Sequence, residues 1–400
     1  MRSLLPLSVV SVVVCSACAA SRMELMRPIP AMASSLERPL FRTLTFNAGL
    51  APGIVPFATQ RIALVAEAVA YSDFDLVCLQ EVWTKEARDA IVAALALPPE
   101  NVYYVETEGE GETGKDRCAD GEIDDILACA QKNCGSEPAE EFTACAARKC
   151  LASGIQLYLH SRSCLNCLTA CAGKSASEVV ETCTGAGAGA SRTYGGRNGI
   201  ILASRWPLID KGVEHLPSSG ANRVALMARV EVPGHGSVEV ACTHLSSRND
   251  VSPTHPAFSD WSDEQRAQIE LISEKLKFRS EGRPELLIGD MNFGQRNDPV
   301  NAALMWSSWK LTADLGFVSP VEYAEPAFCS CCDSNYLNVS KSNILIDHAL
   351  VRNPPKGGGL EPLQAFRVFD QTVSILDWTS QQVQTNMSDH YGVVVDFDLH

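Results

Sequence analysis

Two potential metal or phosphoryl contacts close the stretch Leu286 to Gly294 (LLIGDMNFG), where three aliphatic residues run into a glycine and then deliver Asp290 and Asn292. The run is long enough for a buried strand, and Gly289 lets the backbone turn at its end, lifting both polar side chains out of the apolar layer. An Asp/Asn turn that satisfies its own backbone has the same local form. Five more segments repeat the pattern of an apolar strand that brings a metal-type or proton-transfer side chain to its border. They are FRTLTFN with Asn47, DLVCLQEVW with Glu81, VEVACTHL with His244, ILIDHALVR with Asp347, and SDHYGVVVDF with Asp389 and His390. Six such borders in one chain point to a shared site rather than to separate turns.

The chemistry of that site follows from its donor types. Mg²⁺ takes carboxylate and carbonyl oxygens and keeps several waters, so Glu81 with Asn47 and Asp389 can hold it without a full protein cage. Zn²⁺ would call for more His or Cys. No Gly-x-Ser-x-Gly or other nucleophile motif accompanies these residues, which favours direct attack by water. An imidazole with a pKa near 6.5 suits the proton transfer that such an attack needs.

The elements that must position these residues read as strands with helices between them. Strand FRTLTFN, a helix with apolar spacing over Arg61 to Tyr71 and strand DLVCLQ open the fold as β-α-β. A helix over Lys85 to Leu97 and a short strand over Val102 to Val105 follow. After the strand GIILAS (Gly199 to Ser204), RVALMARVEV and VEVACTHL form a hairpin across Pro233 to Gly236. An amphipathic helix spans Asp263 to Phe278, and a helical stretch lies near Asn301 to Trp309. The fold class is α/β (α+β), two mainly antiparallel sheets packed as a sandwich with flanking helices.

Residues 106 to 191 interrupt this pattern with an acidic, Ala-rich and Cys-rich block. Of the 16 cysteines in the chain, nine fall between Cys118 and Cys183, and ILACAQKNC and FTACAARKC are copies of one 16-residue unit. Short helices stapled to one another fit this spacing. Cysteines five apart on a helix point about 140° apart and so reach different neighbours. With nine in the block, one either pairs with Cys329, Cys331 or Cys332 or remains free. Cys164-x-x-Cys167 reads as part of the disulfide set, with a zinc site as the alternative. Cys78 and Cys242, inside predicted strands, read as small core residues.

The ordered motif set resembles the endonuclease/exonuclease/phosphatase superfamily of metal-dependent phosphohydrolases, which includes the neutral sphingomyelinases. The matching stretches are FN at 46, LQEVW at 79, GRNGIILASRWPL at 196, THL at 243, GDMN at 289, ILIDHALV at 344 and SDH at 388. Together they cover residues 39 to 400 apart from the Cys-rich block, as one catalytic domain with an insertion. The resemblance implies a four-layer α/β/β/α sandwich and Mg²⁺ at Glu81 with Asn47. It also implies His390 as general base oriented by Asp347, and Asp290 positioning the water. Asn292 would bind phosphoryl oxygens, Asp389 would complete the metal or base environment, and His244 would face the leaving group. Asn198 in GRNG is either a turn former or a phosphate contact. His348 flanks its strand and stays out of the site.

Charge and compartment narrow the substrate. The 400-residue chain has 33 Lys and Arg against 48 Asp and Glu, a net charge of −15, which disfavours a nucleic-acid partner needing clustered cations. Residues 1 to 20 have the layout of a secretory signal, with either cleavage after Ala19 or lipidation at Cys18, and 21 to 38 read as a linker. No other stretch has the length of a membrane span. The expected protein is therefore secreted or lipid-anchored outside the cytoplasm. Its expected substrate is a phospholipid phosphodiester, sphingomyelinase-like, with a secreted nuclease as the alternative and a binding module acting through the Cys-rich insert as the reading from another class. Export supports the lipid, and so does the resemblance of the helix WSDEQRAQIELI after the THL strand and of the loop FCSCCDSNY to the corresponding segments of neutral sphingomyelinases. Phe258 and Trp261 either meet a lipid interface or pack internally.

Overall fold

The computed structural model describes residues 40–106, 116–185, 187, 189–248, 254, 257–296, 300–338 and 341–400. The expected export signal (1–20) and linker (21–38) lie outside the described residues. The strands are β1 (Leu40–Leu50), β2 (Leu76–Val82), β3 (Val102–Tyr103), β4 (Ile201–Ser204), β5 (Leu208–Leu216), β6 (Arg223–Val232), β7 (Gly236–His244), β8 (Glu285–Asp290), β9 (Asp347–Arg352), β10 (Leu360–Val368), β11 (Thr372–Leu376), β12 (Gln382–Asn386) and β13 (Gly392–Leu399). They form a six-stranded sheet in the order β10-β13-β1-β2-β4-β3, a five-stranded sheet in the order β5-β6-β7-β8-β9, and the separate hairpin β11-β12. Each large sheet is antiparallel except for one parallel pair, β1 with β2 and β7 with β8.

Period-2 alternation explains the layering. In β7 and β8, Val238, Val240, Cys242, Leu286 and Ile288 join Leu76 and Phe397 of the other sheet in a buried core between the two. The opposite face of the first sheet, through Leu44, Phe46, Val77 and Leu79, packs on helices α1 (Ala58–Tyr71) and α2 (Lys85–Leu95). The cysteine-rich region contributes α3 (Asp124–Cys134), α4 (Ala139–Lys149), α5 (Leu151–His160), α6 (Arg162–Ala170) and α7 (Ala176–Cys183). The outer face of the second sheet carries α8 (Trp261–Ser280) and α9 (Trp306–Asp314), with Leu287, Ile272 and Trp309 at the seam. The result is the expected α/β/β/α sandwich with a helical, disulfide-rich insertion. No helix among the described residues is long and apolar enough to cross a membrane.

Several local expectations change. Cys78 and Cys242 form a disulfide that ties β2 to β7 across the sandwich, rather than acting as separate core thiols. Both sit on inner strand faces, so alternation brings them opposite each other. In the insert, Cys118 pairs with Cys164, Cys129 with Cys150, Cys134 with Cys145, and Cys167 with Cys183, which removes the zinc alternative for Cys164 and Cys167. Cys171 is the odd, free cysteine of the block, while Cys329 pairs with Cys332 and Cys331 is free. The helix expected from Asn301 starts only at Trp306, because Asn301 spends its amide on the Phe328 carbonyl and Leu304 is bridged to Gly294. The strand expected from Ile344 starts at Asp347, since Ile344 is held by an isolated bridge to Cys331. The outer strands β5, β10, β11 and β12 were not anticipated, because their polar, exposed faces dilute the apolar signal.

Gly289 has a different role from the expected turn. It lies inside β8, where a Cβ would stand 1.9 Å from the Thr243 carbonyl oxygen. Only glycine allows β7 and β8 to approach this closely, and that approach sets His244 beside Asp290.

Candidate active site

Strand register assembles the centre of the site. Parallel pairing sets His244 opposite Asp290, and antiparallel pairing sets Asp290 opposite Asp347, so three neighbouring strands end in one row. All three side chains continue the inner-face ladders of their strands, Val240-Cys242-His244, Leu286-Ile288-Asp290 and Val351-Ala349-Asp347. His348 falls on the other face with Leu350. There it contacts Phe293 O through Nε2 at 3.0 Å and Ser319 Oγ through Nδ1 at 2.8 Å, and it stacks on Trp309, clear of the row as expected.

The first sheet meets this row from across the sandwich. Asn47 Nδ2 donates to Asp290 Oδ2 at 2.9 Å, and the Asn292 backbone N–H donates to Asp290 Oδ1 at 2.9 Å. His390 Nδ1 lies 2.8 Å from Asp347 Oδ2 and 4.0 Å from Asp290 Oδ2, and His244 Nε2 lies 3.3 Å from Asp290 Oδ2. If Nδ1–H of His390 donates to Asp347, Nε2 is left to accept a proton.

Backbone exceptions aim the remaining groups. Alternation would send Glu81 after Val77 and Leu79 toward the helices, but its φ of 57° breaks the alternation, and its carboxylate hydrogen-bonds Asn47. Asn292 is also left-handed, with φ 50°, and its side-chain amide donates to Leu245 O at 3.0 Å. Two non-glycine residues held in this sparsely populated region at one cluster are the form that strain takes at functional sites. Gly49 permits the approach of Asp389, since a Cβ there would stand 2.5 Å from Asp389 Oδ1.

Electrostatics follow from enclosure. Burial raises the Glu81 pKa and the neighbouring charge of Asp389 raises it further, against the opposing pull of His390, Arg223 and Asn47. Burial, followed by the charge of Asp347, likewise raises Asp290. For His390 burial disfavours the imidazolium, yet Asp347 and Asp290 together hold its pKa well above the usual value. His244 is pushed well below it by burial and by the positive charges of Arg223 and His390, so it stays neutral. Enclosed carboxylates are the donor type that a hard divalent cation takes, and among the described residues Asp290, Asp347 and His390 bring ligand atoms within 4.8 Å of one another, with Glu81, Asp389 and Asn47 beside them.

Two arginines at the site were not singled out by sequence reasoning. Arg223, at the start of β6, is buried, its Nε and Nη1 without a hydrogen-bond partner among the described residues and its guanidinium 6.0 Å from the Trp83 ring. Its signal was position, because Arg223, Ala225 and Met227 share one face of β6 and the cation is out of place there. Arg61 is fully buried, and its Nη1 donates to Ala48 O at 3.2 Å and Met387 O at 2.6 Å, joining the end of β1 to the segment carrying Asp389. It sits on the apolar stripe of α1 with Val65 and Val69, which is the cue that it is structural rather than solvated.

Asn198 is brought elsewhere. Its Nδ2 donates to Val105 O at 2.8 Å and its Oδ1 accepts from Ile200 N at 3.0 Å, the contacts of a turn former. Tyr194 stacks on Trp83 with ring centroids 5.0 Å apart and donates to Pro52 O at 2.9 Å, forming a wall beside Glu81.

A two-sheet sandwich whose strand ends gather carboxylates, amides and two imidazoles into one enclosed cluster is the arrangement of a hydrolytic site. The chain belongs to the Endonuclease/Exonuclease/phosphatase family, whose profile matches residues 44–390. Among solved structures it is similar to sphingomyelinase C from Streptomyces griseocarneus, at 17% identity and TM-score 0.51, covering 90% of this chain and 99% of that one. It is also similar to beta toxin from Staphylococcus aureus with bound magnesium ions, at 12% identity and TM-score 0.51, covering 89% and 98%. An endonuclease/exonuclease/phosphatase family protein from Bacteroides thetaiotaomicron matches at 13% identity and TM-score 0.50, covering 91% and 99%. At these identities the likeness is one of fold. No match was found among curated proteins.

Proposed function

We propose that this protein is an exported, Mg²⁺-dependent phosphodiesterase that cleaves a phospholipid by direct attack of water, in the manner of a sphingomyelinase C. The observation that carries the reading is the meeting of the His244, Asp290 and Asp347 row with Asn47, Glu81, Asp389 and His390 from the other sheet. Glu81, Asn47 and Asp389 are the residues to hold the cation. When bound, Mg²⁺ supplies charge that offsets the negative charge growing on the phosphoryl oxygens.

The chain's own groups account for the rest. His390 takes a proton from the attacking water at Nε2, while Asp347, 2.8 Å from Nδ1, fixes the ring and stabilises the imidazolium. Asp290, held by Asn47 and the Asn292 backbone, orients that water. The water oxygen bonds to phosphorus, the ester P–O bond on the far side breaks, the departing alkoxide takes a proton from solvent and His390 returns its proton to solvent, leaving a phosphomonoester and an alcohol. Neutral His244 faces the departing oxygen. Asn292 and Arg223, whose Nε and Nη1 have no hydrogen-bond partner among the described residues, contact phosphoryl oxygens in this reading.

A lipid rather than a nucleic acid is favoured by the net charge of −15, and among the described residues Arg223 is the one cation at the cluster with N–H groups lacking a hydrogen-bond partner, where a polynucleotide would call for several. Six disulfides among the described residues accord with an oxidising compartment, and hence with the export signal read in the sequence. The beta toxin of the same fold was solved with magnesium, which accords with the choice of ion. The test is hydrolysis by mature protein with Mg²⁺ of sphingomyelin vesicles, phosphatidylcholine vesicles and plasmid DNA in parallel. Release of phosphocholine with intact plasmid is expected, whereas nicked plasmid with untouched vesicles would establish the nuclease instead.

A further inference from the structure

A cavity of about 520 Å³ lies between the Cys-rich helices and the catalytic sandwich. Its catalytic end is formed by Glu81, Trp83, Tyr194 and Arg223. Its opposite wall comes from α3, α4, α5, α6 and α7, with Ile126, Leu127, Phe142, Leu165, Leu168 and Val179. Among the described residues lining it, only Glu81 and Arg223 are charged, and both stand at the catalytic end. The acidic side chains that give the insert its charge, such as Asp124 and Asp125, are exposed instead. The volume falls within the roughly 300–1,000 Å³ of small-molecule sites.

The construction of the insert keeps this space open. Helices this short normally collapse onto one another to bury their apolar faces. Here four internal disulfides fix their spacing, and α4 is clamped to the loop after β1. In that clamp the Phe57 backbone N–H donates to Glu141 Oε1 at 2.6 Å and Thr143 Oγ1 donates to Gly53 O at 3.2 Å. Leu151 and Ile155 of α5 line the cavity with 59% and 46% of their surface still exposed, so the wall holds apolar area that the protein's own packing leaves uncovered.

We propose that this cavity binds the hydrocarbon chain of an amphiphilic phosphodiester whose phosphate group lies against Arg223 and Glu81. The Cys-rich insert is then a chain-binding hood over the catalytic centre. A nucleobase is the poorer occupant, since its polar edges would face a helical wall whose hydrogen-bonding side chains are Thr143 and Thr169. The inference rests on the phosphodiesterase reading above for the placement of the phosphate, and its test separates the two.

Alkylphosphocholines with four to twelve carbons, below their micelle concentrations and with chelator present to prevent turnover, are titrated against the full mature protein. Binding is followed by the fluorescence of Trp83 and Trp261, both of which line the cavity. Affinity should rise about fourfold per added methylene until the space is filled, as expected when each CH₂ leaves water. Gly154 lines the cavity from α5, and a Cβ there meets nothing within 4 Å, so Gly154→Phe fills the space in a helix that tolerates it. Leu151→Glu places a charge in the same wall at an exposed position. Both variants should flatten the chain-length dependence while leaving turnover of soluble bis(p-nitrophenyl) phosphate with Mg²⁺ unchanged. A flat series in the wild type, or an equal slope in both variants, overturns the proposal. Chain-length-dependent binding without turnover of any phosphodiester would sink the hydrolase reading and leave the cavity assignment standing. Parallel titration of phosphatidylcholine vesicles distinguishes uptake of monomers, which Gly154→Phe abolishes, from adsorption to a lipid surface, which it does not.

Discussion

The contact between His390 and Asp347 makes the sharpest prediction. Asp347 is fully buried, one of its oxygens lies 2.8 Å from His390 Nδ1, and its other oxygen has no partner. Asp347→Asn keeps the shape and removes the charge. An opposite charge at this distance shifts a pKa by about 1–3 units, or about 1.4–4 kcal/mol between the two protonation states. The sign follows from the role. Burial alone would favour neutral His390, but Asp347 and Asp290 hold it protonated to higher pH, and only the neutral ring can accept a proton. Wild-type kcat/KM should therefore climb with pH along a limb above 6.5, at fixed Mg²⁺, and the variant's limb should lie roughly 1–3 units lower. Its plateau should also fall by about 10²- to 10⁴-fold, because an amide can present N–H to Nδ1 and leave the wrong nitrogen facing the water. The assay is hydrolysis of bis(p-nitrophenyl) phosphate between pH 4.5 and 9, with near-UV circular dichroism confirming the fold. A limb that stays in place with an unchanged plateau would refute the assignment of this pair.

Three further outcomes are expected. Replacing Cys78 and Cys242 together by Ala opens a loop spanning 164 residues, which costs about 5 kcal/mol by chain entropy and should lower the denaturant midpoint, while peptide mapping without reductant should recover the native pair. Arg223→Met should lower turnover by roughly 10²- to 10³-fold with little change in Tm, and Arg223→Lys should recover part of the loss, since two N–H groups of Arg223 have no partner among the described residues. Burial holds His348 neutral down to a pKa of about 4, so the unfolded chain takes up a proton first as pH falls. The stability it contributes is complete above about pH 6.5 and is lost toward pH 4, about 3 kcal/mol in all, and His348→Gln should flatten that part of the stability profile.

Much of the candidate site was legible because apolar strands end in polar side chains, and strand alternation carries those ends to one face. His244, Asp290 and Asp347 each continue an apolar ladder by two residues, and His348, set aside as flanking its strand, lies one residue out of step. Glu81 was found by its motif and not by its period, since a positive φ reverses its direction and no local pattern announces that reversal. The Cys78–Cys242 bond was hidden for another reason. Each thiol looks like a small core residue locally, and their partnership depends on how two sheets separated by the whole insert face each other. Arg61 and Arg223 read as flanks of regular elements, although each lies on an apolar face. The cavity depends on the tertiary spacing of five short helices, which cysteine counting alone does not determine.

Turnover of a soluble phosphodiester as a function of free Mg²⁺, in the wild type and in Glu81→Gln, tests the account most directly. No hydrolysis in excess chelator, saturable recovery on adding Mg²⁺, and a loss of several kcal/mol of transition-state stabilisation in the variant, at least about 10³-fold, are expected. Wild-type turnover that persists in chelator, or a Glu81→Gln enzyme with the wild-type rate and metal dependence, would contradict a cation-assisted reaction centred on Glu81.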